Sequence, residues 1–181
     1  MLIVCEGTRT EKDYFEAFPV TSAVVSVVGT GTNTRTVVEH ARVIAARAAA
    51  RDEPFEQVWC VFDRDSFPKV RVNAAVQECE AAGFSAAWSN EAFELWFLLH
   101  FEYCQHAHSR ADYEPKLSAH LGTPYRKSDP DLYVRLLPRV ATALANAKKL
   151  RGLHIGKSPA DANPMTRVDH LVAELLKHAR K

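Results

Sequence analysis

No apolar run in this chain approaches the roughly 18–20 residues that a membrane-spanning helix requires. No basic segment precedes an apolar one at the start, so a signal peptide is not expected either. The four cysteines, Cys5, Cys60, Cys79 and Cys104, include no C-x-x-C pair. Cys5 and Cys60 fall in apolar stretches that read as buried strands, which suits structural thiols in a reducing cytoplasm. Gly29-Thr-Gly-Thr-Asn33 lacks both G-x-G-x-x-G and the Walker Lys-Ser/Thr, and reads as an ordinary turn. No G-x-S-x-G elbow supports serine hydrolase chemistry. His100, Cys104, His106 and His108 match no zinc module, and read as a loop of solvated histidines. Internal repeats and low-complexity segments are also absent.

What is present is an ordinary globular composition, 47% hydrophobic and 25% charged over 181 residues. That length suits one domain with a real core. The net charge of +1 hides an asymmetry: residues 1–104 carry 9 Lys+Arg against 15 Asp+Glu, and residues 105–181 carry 14 against 7. An acidic half able to bind cations, joined to a basic half able to bind phosphates, suits a nucleic-acid enzyme, although solvated basic helices explain it equally well.

The first two-thirds alternates strand and helix, as a parallel sheet covered by helices does. Strands are expected at about 2–6, 23–28, 57–63 and 84–88. Helices are expected from the capping-box-like Thr10-Glu-Lys-Asp13, from Thr34 to about Arg51, and over about 69–82. Asn90 is expected to cap a further helix over 91–101. Residues 102–130, with Pro115, Pro124 and Pro130, read as loops around a short helix near 112–121. A helix over 131–151, bent at Pro138, is followed by a loop and an amphipathic helix opened by a Thr166 to Asp169 capping box. The domain reading is therefore a core over 1–104, with a helical, basic extension over 105–181 packed on it.

Two carboxylates end the run Val58-Trp-Cys-Val-Phe-Asp63-Arg-Asp65, and Glu6 ends Met1-Leu-Ile-Val-Cys5. Each run reads as a buried parallel strand, and ligands of such sheets sit beyond the carboxyl ends of the strands. Side by side, the two strands would bring Glu6, Asp63 and Asp65 to one edge. Clustered carboxylates repel and need a cation to share, and hard oxygen ligands suit Mg²⁺ or Mn²⁺. The plainer reading is that Asp63 caps a helix and Asp65 sits in a turn. Glu91 and Glu94, three apart on the expected helix, would share a face near the same edge. Alternatively, Glu91 only complements the helix dipole. Arg9, Arg64, Lys127, Lys148, Lys149 and Lys157 are the candidate phosphate-binding cations.

A strand ending in Glu-Gly, then a strand ending in Asp-x-Asp, resembles the Toprim domain of topoisomerases, primases and overcoming-lysogenization-defect nucleases. Val4-Cys-Glu-Gly-Thr-Arg-Thr-Glu-Lys-Asp-Tyr-Phe15, Val61-Phe-Asp-Arg-Asp65, Asn90-Glu-Ala-Phe-Glu-Leu-Trp-Phe-Leu-Leu-His-Phe101 and Asn163-Pro-Met-Thr166 resemble, in order, the RloB family of bacterial restriction and phage-defence loci. The resemblance implies a Toprim-like α/β fold, with a Rossmannoid parallel sheet of about four strands and a helical C-terminal extension. It implies a Mg²⁺ or Mn²⁺-dependent nuclease acting on DNA or RNA in phage defence. Glu6, Asp63 and Asp65 would hold one or two metal ions, with a general acid or base role for Glu6 as the alternative, and Glu91 and Glu94 would complete a second position. The basic segment expected before the first strand is absent, which implies weaker nucleic-acid binding. A partner-dependent nucleic-acid-binding subunit working with a neighbouring ATPase is the alternative, and nucleotidyl transfer a third.

Overall fold

The computed structural model describes residues 1–20, 26–29, 34–65 and 68–179. The expected turn at 30–33 and the start of the second strand lie outside them. Five strands form one sheet: β1 (Leu2–Cys5), β2 (Ser26–Gly29), β3 (Val58–Asp63), β4 (Ser85–Asn90) and β5 (Met165–Thr166). Their order is β2-β1-β3-β4-β5, with every pair parallel except the last. The fold is α/β and Rossmann-like, with one antiparallel strand beyond the four that the sequence led us to expect.

β1 and β3 are buried along their whole length, which is why they read as unbroken apolar runs. Side chains alternate between the faces. Leu2, Val4, Cys60 and Phe62 meet α2 (Thr34–Ala49) and α3 (Lys69–Ala81) through Val37, Val38, Ala41, Val72, Ala75 and Cys79. Ile3, Cys5, Trp59 and Val61 face the larger core. That core is built by α1 (Thr10–Glu16), α4 (Glu94–Leu98), α5 (Arg110–Leu121), α6 (Leu132–Leu136), α7 (Val140–Leu153) and α8 (Val168–His178). Burying the apolar faces of both layers drives this arrangement, at about 25 cal/mol per Å² of apolar surface. Among the described residues no helix is long and apolar enough to cross a membrane.

Several local expectations change. Thr10 opens α1, but Arg9 is its cap residue, without a side-chain cap bond. Asn90 does not cap a helix. It ends β4, paired with Met165, and its amide donates to the carbonyls of Pro159 and Ala160. The helix after it starts only at Glu94 and spans five residues. The expected 131–151 helix is divided: α6 ends at Leu136, a 3₁₀ turn carries Pro138, and α7 begins at Val140. Thr166 belongs to β5, yet its hydroxyl still accepts the Val168 amide at 3.1 Å. Asp169 pairs with Arg151 instead of closing a capping box. All four cysteines are buried free thiols.

The histidine loop also changes. His100 is 1% exposed, packed edge-on against Trp96. Its Nδ1 lies 2.9 Å from the Trp96 carbonyl, which can only accept, so Nδ1 carries the proton. Nε2 is buried with no partner among the described residues. Burial lowers the pKa to about 4 from an ordinary 6.5. A folded state that resists the imidazolium loses stability as pH falls from 6.5 to about 4, and keeps it above 6.5. Relative to a non-titrating His100→Gln variant, wild type is expected to lose up to about 3 kcal/mol across that window. Urea unfolding of both proteins at pH 7.5 and pH 4.5 reads the difference, and parallel pH profiles would contradict it.

Candidate functional site

Strand order places the site. β1 lies between β2 and β3, so the chain crosses from one side of β1 to the other, and a crevice opens at the carboxyl ends of β1 and β3. Glu6 follows β1, with its amide donating to the Val61 carbonyl at 2.9 Å. Its carboxylate accepts the Asp63 amide at 3.2 Å. Asp63 is the last residue of β3 and 4% exposed. After Arg64, whose amide bonds the Ser89 carbonyl, the backbone turns through Asp65 at φ +46°. Asp is among the few residues that tolerate this left-handed region. The Glu91 carbonyl fixes the turn by accepting the Asp65 amide at 3.0 Å.

A cavity of about 300 Å³ at this edge is lined by Glu6, Glu11, Asp63, Asp65 and Glu94, with Gly7 to Thr10 and Phe93. Arg9, Arg110 and Lys127 complete its wall. Five carboxyl groups thus face three basic side chains, a net of −2 if all are ionised. One guanidinium nitrogen of Arg110 sits 3.0 Å from Asp63 and 2.7 Å from Asp65. Lys127 lies 3.6 Å from Glu94, which also accepts the Tyr125 hydroxyl at 3.4 Å. Asp63 Oδ1 is buried and has no partner among the described residues.

The electrostatics follow. Burial pushes the Asp63 carboxyl well above its ordinary range, and Glu11, Glu94 and Asp65 add to the push while Arg110 opposes it. Burial raises Asp65, again against Arg110. Burial, aided by Glu94, raises Glu11. Arg110 is itself raised, because the four acids around it outweigh the cost of burying its charge. The arrangement favours any added positive charge.

Of the expected residues, Glu6, Asp63, Asp65 and Glu94 come together, with Arg9 and Lys127 on the wall. Glu91 does not share a helix face with Glu94: it precedes α4, outside the cavity lining, and serves through its carbonyl. Arg64 is also outside. Lys148 and Lys149 lie on α7, where Lys149 stacks over the Tyr103 ring at 3.9 Å. Lys157 lines a separate hollow beside Trp59 and Trp88. Glu11 and Arg110 were missed. Only the spacing of Glu11 from Glu6, five residues on through Gly7, hinted at the former. Nothing local marks Arg110.

Among the described residues no group of three or more His, Cys, Asp or Glu converges closely enough to hold a metal in this geometry. Even so, the donor set fits a hard cation: every acid offers carboxyl oxygens, acids outnumber bases five to three, and Asp63 has a buried oxygen without a partner among the described residues. Glu6, Asp63, Asp65 and Glu94 are the residues that would hold it.

A family model described as RloB-like protein matches residues 1–175, so the chain belongs to the RloB-like family. No curated protein and no solved structure matches it.

Gly7 leaves the space that the Glu11 carboxylate occupies beside β1. A Cβ there would fall 1.9 Å from a Glu11 carboxylate oxygen, and one at Gly29 2.7 Å from the Gly7 carbonyl oxygen. Gly7→Ala is expected to cost roughly 1–3 kcal/mol, as overpacking does. Shortening the side chain it strikes, in Gly7→Ala/Glu11→Ala, is expected to remove most of that cost. Chemical denaturation of the four proteins of this cycle tests it, and additive losses would refute the contact.

Proposed function

We propose that this RloB-like protein is a Toprim-type phosphodiesterase that uses Mg²⁺ or Mn²⁺ to cut DNA or RNA, in the context of phage defence. One observation carries the reading: carboxylates from the ends of two adjacent parallel strands, Glu6, Asp63 and Asp65, share a negatively charged crevice at the switch point of the sheet. A structural ion-pair network needs no such excess of acid over base.

In this reading Glu6, Asp63, Asp65 and Glu94 hold the cation. When bound, it polarises the scissile phosphate and makes an adjacent water more acidic. The protein's own residues do the rest. Asp65, set by its turn, and Asp63, set by the strand, present their carboxylates from a fixed backbone. Tyr125 and Lys127 orient Glu94 from one side. Lys127 and Arg9, both on the cavity wall, meet the phosphate backbone and offset the charge that grows in the transition state. Phe93 walls the cavity with apolar surface, which strengthens each of these interactions.

The test is incubation of wild type and Asp63→Asn/Asp65→Asn with plasmid DNA, single-stranded DNA and total tRNA, with Mn²⁺ or with EDTA. Metal-dependent cutting is expected, reduced at least about 100-fold in the variant, the scale on which charge stabilisation is lost. Equal cutting by the folded variant would refute the assignment. Binding without cutting, with cutting restored by an ATPase partner, would instead support a partner-dependent subunit. Lys127→Ala is expected to weaken binding to all sequences alike. It should reduce the slope of log K against log[salt] by about one unit, as the loss of one phosphate contact does. Titrations at several salt concentrations measure it, and an unchanged slope would remove Lys127 from the interface.

A further inference from the structure

The basic side chain that most directly engages the two aspartates is Arg110, from the first turn of α5, far along the chain from the motifs that carry them. Its Nη2 lies between Asp63 Oδ2 at 3.0 Å and Asp65 Oδ1 at 2.7 Å, on the two carboxylates that would hold a cation. A divalent cation held by both would compete with the guanidinium for the same carboxylate oxygens. The two positive charges would also repel at that range. One of the two must leave.

The arginine is built to be the one that leaves. The start of α5 is fixed: Ser109 and Asp112 close a capping box, with the Ser109 amide and hydroxyl both donating to the Asp112 carboxylate at 2.7 Å. The long Arg110 side chain is 45% exposed, whereas the Asp63 side chain is 6% exposed. Asp63 is thus an immobile ligand on a buried strand, and Arg110 a tethered counter-ion with solvent beside it. Nor does Arg110 satisfy the pair, since Asp63 Oδ1 stays buried and unpartnered among the described residues. Released from the aspartates, the guanidinium remains on the wall of the same cavity, with the planar donor geometry that suits a phosphate.

We propose that Arg110 is the resident counter-ion of Asp63 and Asp65, which a divalent cation displaces, and that the displaced guanidinium then binds the phosphate of the substrate. This rests on the reading of the site as a cation-dependent phosphodiesterase. It predicts effects of opposite sign from one substitution, which neither a purely structural role nor loss of fold would give.

The experiment is calorimetric titration of Mn²⁺ into wild type, Arg110→Ala, Arg110→Lys and Lys127→Ala. Alongside it, a labelled single-stranded oligonucleotide, DNA and RNA in turn, is bound in Ca²⁺. Circular dichroism confirms the fold, and Arg110→Lys, which keeps the charge without the fork, serves should the alanine variant not fold. Arg110→Ala is expected to bind Mn²⁺ at least about 10-fold more tightly than wild type while binding the oligonucleotide more weakly, with Arg110→Lys between. Lys127→Ala removes the same charge from the same cavity and is expected to tighten Mn²⁺ far less. Unchanged or weaker Mn²⁺ binding in Arg110→Ala, or equal tightening in Lys127→Ala, overturns the displacement. Oligonucleotide binding that does not fall in Arg110→Ala overturns the phosphate role. If wild type and every variant ignore Mn²⁺, the cation-dependent reading of the site fails first, and this inference with it.

Discussion

Carboxylates gathered at the ends of two adjacent strands, with Asp63 buried among them, are the constraint around which the rest of the molecule is arranged. Asp63 is almost wholly removed from water, and three neighbouring acids raise the cost of ionising it. Buried charges persist in proteins only when paired or bound to a cation. Among the described residues, the basic side chains that pair with Asp63, Asp65 and Glu94 come from outside the acidic half of the chain. Arg110 and Lys127 both come from the basic segment over residues 105–181, brought there by α5 and the loop after it.

The charge asymmetry of the sequence therefore has a structural meaning. Residues 105–181 add β5 to the sheet, and their Tyr113, Leu117, Leu136, Leu150 and Leu171 share one core with Ile3 and Val61. Burial of those side chains, worth about 1.5–3 kcal/mol each, anchors the basic segment against the acidic one. Local helix propensity contributes less, since α4 and α6 are five residues long and would not form alone.

What was legible in the sequence divides along the same line. β1 and β3 were legible because full burial leaves an uninterrupted apolar run, and Glu6, Asp63 and Asp65 because each breaks such a run at its end. Glu94 stood out as an acid among large apolar residues, and it is buried. The error at Glu91 came from β5. Two residues, Met165 and Thr166, pair with β4 and draw Asn90 into the strand, which delays the helix to Glu94. Nothing in residues 84–101 announces a partner some 70 positions away. Arg110 was illegible for a related reason: its role depends on a tertiary approach across 47 residues, and its neighbours Ser109 and Asp112 mark only a helix start. Glu11 was read as part of a cap, because helix periodicity reports which face is polar but not whether that face is covered.

The charge balance also limits how the site can be filled. With every group ionised, five acids against three bases leave −2, which one divalent cation would offset. On the proposed reading that cation would take up the oxygens that Arg110 holds. The freed guanidinium would stay on the cavity wall, so the balance of acid and base there would not change. A phosphate entering beside the cation would bring negative charge back, and the guanidinium freed from the aspartates is the group placed to meet it. On this electrostatic ground, an acidic crevice with a displaceable arginine suits a site that fills completely only when substrate and metal arrive together.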